Sequence, residues 1–259
     1  MVLLETKSAD LTSLLQDPER KRRYVRALFD RVAPAYDRFT RWFSYGMDGA
    51  WKRELAAALA SRIPSGATVI DLACGTGDLG RALRSVRADV RILGTDLSAG
   101  MLHHARRRDS SAVLAVADMT SLPLPDASAD AVLAGYAFRN APDPPVAVRE
   151  SARILKAGGW LASLDFYLPE APIWRTLFLA YLKAAGSIYG WCWHRNPACY
   201  AYIANSLELF VTAAQFASLL REHGFECCEV RRKLEGGIAI HLARRADEGP
   251  SSKGVAAHI

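Results

Sequence analysis

The sequence predicts an α/β fold: a doubly wound sheet of seven strands, mostly parallel with an antiparallel last strand. Helices precede the sheet, and a helical insertion follows the fifth strand. Three observations carry this. A short apolar run of Val69, Ile70 and Leu72 passes through Cys74-Gly-Thr-Gly77 into a stretch with Leu79, Ala82 and Leu83 on one helical face. Three successive apolar runs each end at an aspartate: Asp71, Asp96 and Asp118. Two further runs, 225–233 and 237–243, stand close together near the end, as an antiparallel pair that closes a sheet. Strand, glycine turn and helix open a Rossmann-like nucleotide-binding unit, in which strand ends converge on a ligand crevice.

The glycine turn does not by itself name a ligand. Gly75, Gly77 and Gly80 satisfy the dinucleotide fingerprint, and Gly75 and Gly77 let the backbone approach a ligand closely. A pyrophosphate prefers a helix N-terminus with cations nearby. This turn instead has Asp71 at its entrance and Asp78 at its exit, a charge pattern suited to an ammonium and a sulfonium, as in S-adenosylmethionine (AdoMet). In the competing reading Asp71 merely ends a strand and Asp78 merely caps a helix.

The elements follow in order. Residues 1–20 read as a frayed or loosely helical arm. A helix runs over 22–32 through Tyr24, Val25, Leu28, Phe29 and Val32, and Pro34 interrupts it. An aromatic-dense stretch, 35–46, leads to a helix over 51–62, stopped by Pro64-Ser-Gly66. Residues 1–64 therefore form a helical arm and lid, with aromatics that either pack on the fold or cover an apolar substrate. Residues 65–245 form the nucleotide-binding domain. The second strand covers 90–95; Asp96 at its tip is placed to accept from both hydroxyls of a ribose. Ser98 caps a helix carrying Met101, which lies against an adenine or belongs to the core. The third strand, 112–117, ends at Asp118, placed to accept from an adenine amino group. The fourth, 130–135, delivers residues 136–140 to the same crevice. A helix over 144–155 stops at Lys156-Ala-Gly-Gly159, and the fifth strand covers 160–166. In the insertion, 171–209, a helix over 171–189 carries Trp174, Phe178, Leu182 and Ala185, widened by Leu177, Tyr181 and Ile188, as core or as a groove wall. Thr212 caps the last helix, and 246–259 read as a disordered tail.

Composition narrows the classes. With 259 residues, 51% of them hydrophobic, the chain can bury a sizeable core. The most apolar part, 171–193, is broken by Arg175 and Lys183, so no uncharged stretch reaches the roughly 18 residues of a membrane span, and the first residues lack a secretory signal. The five cysteines are odd in number, show no C-x-x-C spacing and read as free thiols in a reducing cytoplasm in preference to a metal or disulfide framework; no metal site is expected. A net charge of +6, concentrated in 20–23, 106–108 and 231–233, suits a solvated face or an anionic membrane surface. Those runs lack interleaved aromatics, which argues against nucleic acid.

Several stretches carry a resemblance. Asp71-Leu-Ala-Cys-Gly-Thr-Gly-Asp-Leu79, Leu122-Pro-Leu-Pro-Asp126 and Arg153-Ile-Leu-Lys-Ala-Gly-Gly159 resemble class I AdoMet-dependent methyltransferases. Phe29-Asp-Arg-Val-Ala-Pro-Ala-Tyr-Asp37, Phe43-Ser-Tyr-Gly-Met-Asp-Gly-Ala-Trp-Lys52, Phe138-Arg-Asn140, 202–206 and 236–241 resemble, more specifically, the ubiquinone/menaquinone biosynthesis C-methyltransferases. The resemblance spans about residues 24–245. It implies that Thr76, Asp96, Asp118, Met119 and Gly135 contact AdoMet, and that Tyr36, Arg139 and Asn140 stand at a quinol. It also carries departures: the family usually has Glu at Asp165, Gly-Leu at Ala137-Phe138 and Pro at Val211, and its linker differs from 191–199.

A quinol carbon becomes nucleophilic when a ring hydroxyl loses its proton, so the site needs a base or a cation that stabilises phenolate. His103, His104 and His223 read as surface or helix-end residues, His241 as a structural residue within a strand, and His194 has no assigned place. Arg139 stays protonated; it can stabilise a phenolate and orient a water, or simply bridge to a carboxylate. The expected activity is C-methylation of a prenylated quinol by a cytoplasmic enzyme peripherally attracted to the membrane. Expected partners are the isoprenoid quinol, an anionic membrane surface and a second copy in a homodimer. The rival readings are methylation of a phospholipid amine or specialised metabolite, and AdoMet binding without turnover.

Overall fold

The computed structural model describes residues 8–194 and 198–247. The first helix, α1 (Ser8–Gln16), corrects the expectation of a loose arm. Leu11, Leu14 and Leu15 fall on one face and are buried. The next helix, α2 (Pro18–Val32), begins where Asp17 accepts from the N–H groups of Glu19 and Arg20, with Pro18 in the first turn. A single 3-10 turn at Ala33–Ala35 follows Pro34, and the aromatic stretch continues as α3 (Tyr36–Phe43) and α4 (Asp48–Ala60). The left-handed Tyr45 and Gly46 separate these two.

The sheet comprises β1 (Thr68–Leu72), β2 (Arg91–Asp96), β3 (Val113–Val116), β4 (Ala129–Gly135), β5 (Leu155–Phe166), β6 (Phe225–Lys233) and β7 (Ile238–Arg245). Its order is β3-β2-β1-β4-β5-β7-β6, with β7 antiparallel to both neighbours and the remaining pairs parallel. The strand order reverses between β1 and β4, so the crevice opens beyond their C-terminal ends. Between strands lie α5 (Asp78–Val86), α6 (Ala99–Arg108) and α7 (Pro144–Ile154). After β5 come α8 (Pro172–His194), α9 (Ala198–Glu208) and α10 (Ala213–Glu222).

β5 begins earlier than the expected 160, because the Lys156-Ala-Gly-Gly159 stop is absorbed into the strand as an irregularity. Leu155 pairs with Ala129, and regular pairing resumes at Trp160. Gly158 is left-handed, and a Cβ on Gly159 would lie 2.9 Å from the Lys156 carbonyl and 3.1 Å from that of Asp130. The N-terminal helices share one core with the sheet: Leu11, Leu28, Phe39, Val132, Phe138 and Tyr202 belong to the same buried cluster. On α8 the apolar stripe divides, with Phe178 and Leu182 buried and Leu177 and Ile188 exposed. Cys74 and Cys228 carry free thiols. The expected tail lies outside the described residues beyond Asp247, and Ala246 still donates to the Gly224 carbonyl.

Candidate active site

After β1 the backbone passes through left-handed Ala73, Gly75 and Gly77. Gly75 N–H donates to Asp96 Oδ2 at 2.9 Å, fastening the turn to the tip of β2. Asp71 lies beneath the turn, where Oδ2 accepts from Gly80 N–H at 3.0 Å. A Cβ at Gly80 would stand 2.9 Å from that oxygen, so a larger residue would force the Asp71 carboxylate to shift. Burial pushes the Asp71 carboxyl up to about 7, and its Oδ1 has no partner.

Beyond the turn is a cavity that encloses about 630 Å³ when the solvent at its open mouth is counted. It gathers Gly75, Asp96, Met101, Asp118, Met119 and Gly135 from the expected cofactor residues. Asp71, Thr76 and Gly77 are not part of its wall: Thr76 Oγ1 donates to Asp37 Oδ1 at 2.6 Å, and a Cβ on Gly77 would point at Arg81 and Ala105. Asp96 takes one N–H on each oxygen, from Gly75 and from Ser98, leaving further lone pairs for hydroxyl donors. Burial, aided by nearby Asp30, pushes it up to about 6 despite those bonds. Asp118 takes the Thr120 N–H and hydroxyl on Oδ1. Its Oδ2 lies 2.6 Å from Arg22 Nε, a charge contact outside hydrogen-bond alignment. A buried acceptor for a ribose, two methionines for an adenine face and bare glycine backbone fit an adenosyl group.

A second cavity, about 630 Å³ counted in the same way with its open mouth, adjoins the first and is mainly apolar, with Leu28, Val32, Phe39, Phe43 and Phe166 in its wall. Phe29, Tyr36, Tyr136 and Asn140 line both and form the partition. Arg139 lines only the apolar cavity and is 4% exposed. Its Nη1 donates to the Ser206 hydroxyl, and its main-chain N–H donates to Asp165 Oδ2 at 3.2 Å. Nε lies 3.8 Å from Asp165 Oδ1, and the guanidinium sits 5.6 Å from the Phe166 ring centroid. The bridging alternative is thus part of the geometry: Asp165 anchors Arg139 from behind, and burial pushes that carboxyl up to about 6, with Arg139 pulling it down. Asn140 Nδ2 donates to the Tyr136 carbonyl at 2.7 Å, while Asn140 Oδ1 accepts from the Tyr202 hydroxyl at 2.9 Å. Tyr136 donates its hydroxyl to Asp48 Oδ1 at 2.7 Å, and Asp48 Oδ2 is 2.7 Å from Lys52 Nζ.

The apolar cavity leads into a groove of about 940 Å³ that shares Phe43, Ser44 and Phe166 with it. Tyr45, Met47, Trp51, Leu177, Phe178 and Tyr181 line this groove, and the Tyr181 hydroxyl donates to the Phe43 carbonyl at 3.0 Å. Sequence reasoning missed Asp30, Asp48 and Lys52. The Asp48–Lys52 spacing of four on one helix was the available signal. Asp30 gave none: its carboxylate accepts from the Ser98 hydroxyl across the fold, at 2.5 Å.

Comparison with known proteins agrees with this geometry. Residues 17–245 match the model of the ubiE/COQ5 methyltransferase family. A demethylmenaquinone methyltransferase of Symbiobacterium thermophilum is 33% identical over 244 residues, covering 90% of this chain and 96% of that one. The protein of the same name from Paenarthrobacter aurescens is 32% identical, with 92% of each chain covered. Among solved structures, a SAM-dependent methyltransferase of Thermotoga maritima, described as a possible histamine N-methyltransferase, aligns with a TM-score of 0.61 at 19% identity. That alignment covers 85% of this chain and 99% of the other, and it speaks to the fold alone. With a cavity at the sheet's switch point and the family model matching from α2 through β7, the chain belongs to the ubiE/COQ5 methyltransferase family and is an AdoMet-dependent methyltransferase.

Proposed function

We propose that this enzyme methylates a ring carbon of a prenylated quinol of the demethylmenaquinol class, in respiratory quinone biosynthesis. The observation that carries this is the pairing of two cavities across the thin partition of Phe29, Tyr36, Tyr136 and Asn140. One cavity suits AdoMet, which supplies the methyl group as a sulfonium. The other suits an aromatic ring, with one cationic pole at Arg139 and an apolar exit along α8 for an isoprenoid tail. The names of the relatives support the naphthoquinol over the benzoquinol.

In this reading the chain does four things. Asp96 holds the ribose hydroxyls. Tyr36 and Asn140 align the acceptor ring at the partition, which converts a bimolecular encounter into an oriented one. Arg139, desolvated and fixed by Ser206 and Asp165, stabilises negative charge on a ring oxygen. The aromatic walls exclude water. Membrane attraction belongs to the same proposal: among the described residues no single helix is long and apolar enough to cross a membrane, while Tyr45 and Leu177 expose apolar surface at the groove mouth.

The test is incubation with labelled AdoMet and three acceptors: a short-chain demethylmenaquinol, a demethylated benzoquinol and phosphatidylethanolamine. The expected product is the C-methylated naphthoquinol. Methylated phospholipid without any quinol product overturns the reading.

A further inference from the structure

We infer that Tyr136 is a catalytic acid–base residue: its hydroxyl receives the proton of the acceptor's ring hydroxyl while passing its own proton to Asp48. The inference rests on the quinol reading above. Arg139 stabilises charge but cannot accept a proton, so that reading leaves the destination of the hydroxyl proton unassigned.

Four observations place it on Tyr136. The side chain lines both cavities, so it stands where acceptor and methyl donor meet. Its hydroxyl already donates to a carboxylate, Asp48 Oδ1, at 2.7 Å, the geometry a two-step proton transfer needs. Asp48 is the one carboxylate among the described residues of the apolar cavity's wall, and it is 7% exposed. Asp165, the other nearby acid, lies behind Arg139 and outside both walls. Finally, Tyr136 has a backbone φ of 57°, left-handed for a residue with a Cβ. Its N–H donates to the Leu164 carbonyl at 2.6 Å and its carbonyl accepts from Asn140, so neighbours on both sides hold this costly conformation. Lys52 completes the unit: its ammonium is 2.7 Å from Asp48 Oδ2 and 5.9 Å from the centroid of the Tyr136 ring, balancing the carboxylate's charge in a dry site.

The protons balance. The acceptor's O–H bond breaks and Tyr136 Oη gains that proton as Asp48 Oδ1 gains the tyrosine's own. Once the ring carbon has gained the methyl group, whose bond to the sulfonium sulfur breaks with its electrons left on sulfur as a neutral thioether, the hydrogen on that carbon leaves to water as a proton and the C–H electrons restore the aromatic ring. The ring oxygen then takes its proton back along the same path. Tyr136 and Asp48 end as they began, and one proton per turnover reaches solvent. Asp48 acts through Tyr136 and is a positioning and proton-storing residue in this scheme.

The test uses Tyr136→Phe and Asp48→Asn in the full chain, with single-turnover methylation of two acceptors. One is a demethylated naphthoquinol; the other is a ring-halogenated analogue whose hydroxyl is ionised at the assay pH. AdoMet affinity is measured by calorimetry. On the ordinary quinol Tyr136→Phe is expected to slow methyl transfer by about 10²-fold or more, the usual contribution of a positioned acid–base group. Asp48→Asn is expected to slow it in the same sense, with AdoMet affinity unchanged in both. On the ionised acceptor no proton need be removed, so the loss in both variants should largely disappear. Parent-like rates on the ordinary quinol, or equal losses on the two acceptors, overturn the assignment and make the pair structural. A parent enzyme that methylates neither acceptor removes the quinol reading itself, before any variant is compared.

Discussion

At the scale of single residues, Arg139 and His241 are two buried nitrogen-bearing side chains in contrasting surroundings. Arg139 is held by Ser206 and Asp165 with its guanidinium facing an apolar cavity. Arg139→Ala should lower single-turnover methylation by about 2.7–4 kcal/mol in barrier terms, with AdoMet affinity nearly intact. Arg139→Lys should restore little, because a lysine cannot reproduce the planar fork. Parent-rate turnover by the alanine variant would make the residue structural. His241 is fully buried on β7, with Nε2 2.9 Å from the Ala213 carbonyl and rings of Tyr167 and Phe216 against it. Burial lowers it from 6.5 to about 4. The unfolded chain therefore binds this proton more readily, and stability present above about 6.5 is lost as pH falls towards 4. The loss amounts to about 3 kcal/mol for this group. Asp71, Asp96 and Asp165, raised to between about 6 and about 7, work in the other direction, their contribution being lost as pH rises through those values. A difference measurement isolates the histidine: urea unfolding of the parent and His241→Gln from pH 7 to pH 4 should show the parent losing ground. Parallel curves would show that the imidazole titrates normally. The place of Asp96 in the cavity wall could be read from the sequence, because it ends the strand that follows the glycine turn. For Asp48 the sequence offered only its spacing to Lys52, since its contact with the Tyr136 hydroxyl depends on how α4 docks on the sheet.

At the scale of elements, local chemistry set most boundaries. Thr212 accepts from Gln215 N–H and the Gln215 side chain accepts from Thr212 N–H, closing a capping box at the start of α10. Thr212→Ala should cost about 1 kcal/mol of unfolding free energy and leave methylation kinetics unchanged. A cost near zero in denaturant titration would mean that the packing of Phe216 and Leu220 alone fixes this helix. The boundaries that sequence reasoning misplaced are those decided by distant partners. The chain at 155–159 carries every mark of a helix stop, yet Ala129 is there to pair with Leu155. The first helix looked loose because Leu11, Leu14 and Leu15 gain their partners only from the assembled core. The docking of the N-terminal helices is likewise a tertiary construction. Asp30 on α2 reaches the Ser98 cap of α6, and Asp37 on α3 takes the Thr76 hydroxyl and pairs with Arg108.

At the scale of the whole molecule, net charge and exposed apolar surface make the proposed attraction to an anionic membrane testable. The chain carries +6, and Tyr45, Leu177 and Ile173 are 76%, 56% and 80% exposed, the first two in the wall of the groove that leads from the apolar cavity. Flotation with anionic vesicles should therefore fall as salt rises, because screening shortens the reach of exposed charge. Replacing Tyr45 and Leu177 by serine should weaken binding at every salt concentration without changing its salt slope. Equal flotation with neutral and anionic vesicles would restrict the charge to a role in solubility.

One feature of the sheet bears on how the molecule comes into being. The strand formed last, β7, does not lie at the edge; it is wedged between β5 and β6. While a ribosome is still delivering residues 167–237, β5 has an open row of backbone donors and acceptors on one side. A nascent sheet with a bare strand invites pairing with other chains, and contacts so distant in sequence close slowly. Newly made enzyme should thus depend on chaperones most at the moment just before residues 238–245 emerge. Ribosome-bound chains stalled at residue 237 should remain protease-sensitive throughout, whereas chains extended past residue 245 by a tunnel's length should become resistant in one step.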